Sequence, residues 1–203
     1  SRGLGDVYKR QQRYHGDYIL STKLDGVSAM FDSRNGAQKL YSRGNGSEGN
    51  DISHFLPYLS CQDCKDIVVR GELILPKSSN LPKLRNVVSG LVNTKNLQEE
   101  KMKDVHFIVY EVIYPSMLPS LQFSFLKEHY PSLRTVEHFL TKTINTAILS
   151  SQLLEWRTNC PYEIDGVICC NDELAERRNE NPSNAFAFKM ILTEQMIEAV
   201  VID

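Results

Sequence analysis

Lys23 and Asp25, in the stretch STKLDGVSAMF from Ser21 to Phe31, are charged residues two apart in a segment that otherwise has the composition of a strand. Strand side chains alternate between faces, so the two charges would share one. On a core face each would be costly to bury unless paired or turned toward a polar cavity; on a solvated face an ordinary ion pair suffices. Three further apolar segments carry similar interruptions. In VVRGELIL, Arg70 and Glu72 lie on one face; in EIDGVICC, Asp165 breaks an apolar run; in AFAFKMI, Lys189 shares a face with Ala185 and Ala187, with the phenylalanines opposite. Taken singly, each is a sheet-edge or surface charge. Taken together, lysines and carboxylates that interrupt several strands describe one polar pocket between sheets, and a pocket with basic and acidic walls suits a nucleotide and a metal ion.

The elements that would position these residues follow from the apolar patterning. Tyr18 to Asp25 and Gly26 to Phe31 are expected as strands, Asn35-Gly36 as a tight turn closing a hairpin, and Gln38 to Arg43 as the return strand. A Gly-rich loop, GNGSEGND, leads into a short helix from about Ile52 to Leu59. DIVVRGELILP is a central strand, LPKLRNVVSGLVN a helix and VHFIVYEVIY another strand. TAILSSQLLEWR carries Ile148, Leu149, Leu153 and Trp156 at helical spacing. EIDGVICC, AFAFKMI and MIEAVVID complete the set as strands. Strands mixed with occasional helices, without regular βαβ alternation, predict an α+β fold with mainly antiparallel sheets.

The chain of 203 residues is long enough for a sizeable core, and its net charge of -2 neither supports nor excludes a nucleic-acid partner. No apolar run approaches membrane-spanning length and no signal peptide is evident, so a cytoplasmic location and no membrane partner are expected. Five cysteines without regular spacing fit reduced thiols. Cys61 and Cys64 form a C-x-x-C pair, but Cys169-Cys170 lacks the spacing to complete a zinc site, and the first pair is expected on a surface turn. The five histidines show no paired spacing; His54 follows the Gly-rich loop, where packing and phosphate proximity are both open. Asp6 to Gln11, DVYKRQ, is what a transposition adapter used in sequencing libraries encodes, so residues 1–11 are set aside as adapter-derived and 12–203 are read as one domain.

KLDG, from Lys23 to Gly26, matches the lysine-x-aspartate-glycine signature of covalent nucleotidyltransferases. SRGNGSEGNDISHFLP, VRGELILPK, LRNVVSGLV, FIVYEV, EIDGVI and AFAFKM then follow in order and resemble the successive motifs of NAD-dependent DNA ligases, covering Ser21 to about Met190. The resemblance implies a covalent nucleotidyltransferase fold, ATP-grasp-like, with antiparallel sheets and flanking helices around a nucleotide pocket. It implies that Lys23 attacks NAD and becomes a lysine-AMP, with Asp25 as its catalytic neighbour and Asp165 binding Mg²⁺. Arg43, Arg70, Glu72, Tyr110 and Lys189 would hold the nucleotide: Tyr110 by stacking on adenine, Glu72 through a ribose hydroxyl and Lys189 at the α-phosphate. The partner implied is nicked double-stranded DNA, engaged by a monomer. A nicotinamide-mononucleotide-binding domain and an oligonucleotide-binding fold, which flank this core in the family, are not expected within the chain. Three positions depart from the pattern: Ser21 stands for a glutamate, Asn93 for an arginine and Cys170 for a lysine. An ATP-dependent DNA ligase or an RNA ligase with the same lysine chemistry is the alternative, and a nucleotide-binding module without catalysis is another.

Overall fold

The computed structural model describes residues 16–43, 49–94, 98–175 and 183–190. The adapter-like segment, most of the Gly-rich loop and the expected last strand MIEAVVID lie outside the described residues.

Among the described residues the chain forms two sheets. The first has the order β7-β1-β8-β9, from His138–Thr141, Tyr18–Leu24, Ile164–Asn171 and Ala185–Phe188. The second has the order β3-β2-β4-β5-β6, from Lys39–Ser42, Val27–Asp32, Val68–Ile74, His106–Tyr114 and Arg134–Thr135. Their pairings are antiparallel except for the short β5–β6 contact. The α+β architecture with mainly antiparallel sheets is therefore the one observed. Among the described residues, four α-helices flank the sheets: α1 (Leu84–Asn93), α2 (Glu99–Met102), α3 (Pro119–His129) and α4 (Thr146–Asn159).

Local patterning accounts for most of these elements. Helix α1 buries Leu84, Val88, Leu91 and Val92, a single face at helical spacing. Helix α4 starts where the Asn145 side chain accepts from the Ile148 amide at 2.9 Å, and buries Leu149, Leu153 and Trp156. Asn35 and Gly36 both take positive φ, as the turn between β2 and β3 requires. Leu20, Phe31, Leu40, Leu73 and Leu149 lie fully inside the core.

Several expectations are corrected. The segment after the Gly-rich loop is a 3-10 helix, Ser53–Tyr58, because Pro57 inside it offers no amide to extend an α-helical ladder. The expected strands Tyr18 to Asp25 and Gly26 to Phe31 both form, in different sheets: the chain leaves the first sheet at Leu24 and enters the second at Val27. Gly26 makes that step possible, since a Cβ there would fall against the Leu73 carbonyl oxygen and the Glu72 side chain. Cys61 and Cys64 are buried, not on the surface, and pack as small apolar side chains. Helix α3 and strands β6 and β7 have no clear signal in the sequence. In α3 the buried face includes Gln122 beside Phe123 and Leu126 while Leu121 is exposed, so the apolar stripe is broken.

Candidate active site

The two sheets enclose a cleft of about 1300 Å³ whose lining includes Lys23, Arg43, Arg70, Glu72, Tyr110 and Cys170. Lys23 lies at the end of β1, where its Nζ donates to Asp165 Oδ2 at 2.7 Å, and Lys189 Nζ reaches the same oxygen at 2.5 Å. The side chains of Lys23 and Asp165 are 29% and 27% exposed, so the pair is reachable from the cleft.

A register irregularity brings Asp165 to the lysine. Lys23 pairs with Gly166 and Leu24 with Ile164, which leaves Asp165 as an extra residue in β8. Strict alternation would turn Asp165 away from the face shared by Lys23 and Gly166; a bulge re-aims it. Gly166 also clears the path of Lys189, because a Cβ there would meet the Phe188 carbonyl and lie 3.2 Å from Lys189 Cγ. Burial acts to raise the Asp165 pKa, but hydrogen bonds from Lys189 and Lys23 outweigh it and hold the carboxyl below its ordinary value.

The opposite wall belongs to the second sheet. Glu72 on β4 faces the cleft and accepts from the Gly26 amide at 3.2 Å. Burial pushes its pKa up to about 7, against the opposing pull of that amide and of Lys23 and Arg85. A second bulge occurs in β5, where Gly71 pairs with Val109 and Arg70 with Glu111, so Tyr110 and Glu111 both line the cleft. The Tyr110 hydroxyl lies 2.7 Å from Ser28 Oγ, and burial pushes its pKa up to about 12. Arg70 Nη1 donates to Glu111 Oε2 at 3.4 Å.

Seven of the eight residues singled out in the sequence line the cleft or, like Asp165 and Lys189, touch Lys23 directly or through a shared partner; among them Arg43 is in the lining with Ser42 and Asn50. Asp25 departs from expectation. It sits beyond the end of β1, where it pairs with Arg85 Nη1 at 2.8 Å and not with Lys23. Sequence reasoning missed Arg85, Ser28 and Glu111. Arg85 lay inside the quoted LRNVVSGLV motif and Glu111 inside FIVYEV, which were their available signals; Ser28 lay outside the quoted motifs. Of the three departing positions, Ser21 and Cys170 are also in the lining, and burial, followed by Glu111, Asp172 and Glu173, pushes the Cys170 thiol up to about 12. Asn93 lines the cleft and caps back onto the Ser89 carbonyl at 2.8 Å.

No protein-family model matches the chain. It is 37% identical over 198 residues to a DNA ligase of Acanthamoeba polyphaga mimivirus, a match that takes in 90% of this chain and 31% of that protein. Among solved structures, a Lig E DNA ligase superposes with a TM-score of 0.63 at 18% identity, covering 90% of this chain and 66% of the other. The chain belongs to the DNA ligase family, as a nucleotidyltransferase domain. It spans about a third of the length of the curated relative it matches.

The same comparisons correct the expected cofactor. A mycobacterial DNA ligase D complexed with ATP matches with a TM-score of 0.56 at 18% identity, covering 87% of this chain and 58% of that one. The ATP-dependent ligase of bacteriophage T7, in complex with ATP, matches with a TM-score of 0.56 at 16% identity, covering 91% and 65%. These neighbours hold ATP, which runs against the expectation that this domain belongs to an NAD-dependent ligase and draws its AMP from NAD. The motif order that prompted it, from KLDG to AFAFKM, tracks the shared fold and lysine site and does not determine the donor.

Proposed function

We propose that this domain transfers AMP from ATP to Lys23, the first step of an ATP-dependent polynucleotide ligase. The observation that carries the reading is a nucleotide-sized cleft lined by Lys23 on one wall and Glu72 and Tyr110 on the other, with Lys23 and Lys189 sharing Asp165. Lys23 Nζ, once deprotonated, attacks the α-phosphorus; the P–N bond forms, the bond to the bridging oxygen breaks and pyrophosphate leaves. Asp165 orients the amine, Lys189 faces the charge that develops on the phosphate, Tyr110 offers its ring to the adenine and Glu72 meets a ribose hydroxyl.

Mg²⁺ fits this site only as a companion of the triphosphate. Among the described residues no group of three His, Cys, Asp or Glu side chains is assembled as a cage, and Mg²⁺ is commonly held by one or two carboxylates plus substrate phosphates. Asp165 would be that carboxylate. The ion, when bound, neutralises charge on the phosphates.

Nicked duplex DNA is the partner we infer for the complete protein, supported by the DNA ligase relatives; the adenylated lysine would pass AMP to a 5′-phosphate for displacement by a 3′-hydroxyl. We further assign residues 12–203 to this adenylating domain, acting as a monomer. Among the described residues no helix is long and apolar enough to cross a membrane.

Intact-mass measurement after incubation with ATP, GTP or NAD in the presence of Mg²⁺ tests the reading. A single AMP adduct from ATP is expected. An adduct from NAD alone would overturn the donor, and no adduct from any of the three would overturn the enzymatic reading.

A further inference from the structure

Tyr110 reaches the cleft through an irregular stretch of backbone. Its strand is shifted in register between the Gly71–Val109 and Arg70–Glu111 pairs, so no cross-strand partner fixes the residue itself. One hydroxyl comes close to it from two strands away in the same sheet. Ser28 on β2, which pairs with Glu72 on β4, brings its Oγ to 2.7 Å from the Tyr110 hydroxyl. Both Ser28 and Tyr110 are in the cleft lining.

We propose that Ser28 is a positioning residue: its hydroxyl tethers the Tyr110 phenol and so fixes the plane of the ring against which adenine stacks. The proposal rests on the nucleotide-cleft reading above and adds a specificity device to it. A flat base gains most from a ring already held parallel to it, and ordering the ring beforehand removes part of the entropy lost on binding. The tether spans β2 and β5, with β4 between them, so it fixes the ring relative to the wall that carries Glu72. It also changes what the phenol contributes. With its hydroxyl engaged, Tyr110 is not interchangeable with phenylalanine, whose ring has the same stacking face and no tether.

Two measurements test this. In protein labelled with ¹³C at tyrosine Cζ, the Tyr110 resonance is assigned by its loss in Tyr110→Phe; it should shift in Ser28→Ala and return toward its original position in Ser28→Thr, which restores a hydroxyl. Affinity for AMP, measured by calorimetry, should fall about three- to tenfold in Ser28→Ala and in Tyr110→Phe, the scale of one lost hydrogen bond. The double variant should be no weaker than either single one, because both remove the same interaction. An unmoved resonance in Ser28→Ala, or losses that add in the double variant, would overturn the tether. If Tyr110→Ala weakens AMP binding while Ser28→Ala leaves it unchanged, the cleft reading stands and the positioning role falls. If Tyr110→Ala also leaves AMP binding unchanged, the adenine site itself is misplaced and the role falls with it, whatever the resonance does.

Discussion

Lys23 sits at the edge of the cleft with one carboxylate partner that it shares with Lys189. Its removal therefore leaves Asp165 still paired, and Lys23→Ala should fold with near-normal stability while forming no AMP adduct; thermal melts and intact mass check the two halves of that statement. Lys23→Arg should fail equally, because a guanidinium stays protonated and cannot attack phosphorus. Glu72 supplies a pH signature. Its folded-state value of about 7 lies above the ordinary 4.5, so between those values the folded chain keeps a proton that the unfolded chain has already released. Stability is then fully present below about pH 4.5 and falls as pH rises toward 7, by up to roughly 3 kcal/mol. Glu72→Gln should flatten that part of the profile, as measured by denaturant unfolding from pH 4 to 8. A Glu72→Gln profile with the same slope as wild type would contradict the burial assigned to this carboxyl.

At the scale of elements, two bulges bring Asp165 and Tyr110 into the site, and each depends on close backbone approach. Gly166→Ala would press a methyl group against the Phe188 carbonyl and the Lys189 side chain. We expect it to displace β9, weaken AMP binding and destabilise the fold by about 1 to 3 kcal/mol; unchanged AMP affinity in a folded variant would mean Lys189 does not serve the phosphate. The same bulges mark the limit of what the sequence could tell. Lys23, Glu72 and Lys189 were legible because charges interrupt otherwise apolar strands. The meeting of Lys23 with Asp165, and the turn of Asp25 toward Arg85, were not, since an extra residue in one strand leaves no periodic trace and the end of β1 at Leu24 cancels the alternation that would have put Asp25 beside Lys23. Helix α1 and helix α4 were readable from buried stripes, whereas α3 hides its stripe behind Gln122, whose Oε1 accepts from the Val112 amide at 2.6 Å.

Across the whole molecule, the cleft walls come from different sheets, which the chain joins at Asp25-Gly26 between β1 and β2 and again at Val136-Glu137 between β6 and β7. A nucleotide that touches Lys23 and Lys189 on one wall and Glu72 and Tyr110 on the other would tie the sheets together. AMP at a hundred times its dissociation constant should accordingly stabilise the fold by about 2.7 kcal/mol, visible as a raised melting temperature that Tyr110→Ala diminishes. The central claim is that Lys23 carries AMP taken from ATP, and peptide mapping of protein incubated with ATP and Mg²⁺ tests it most directly. The account predicts AMP on the peptide containing Lys23, discharged by added pyrophosphate with ATP regenerated; AMP on Lys189 or another residue, or an adduct that pyrophosphate does not reverse, would contradict it.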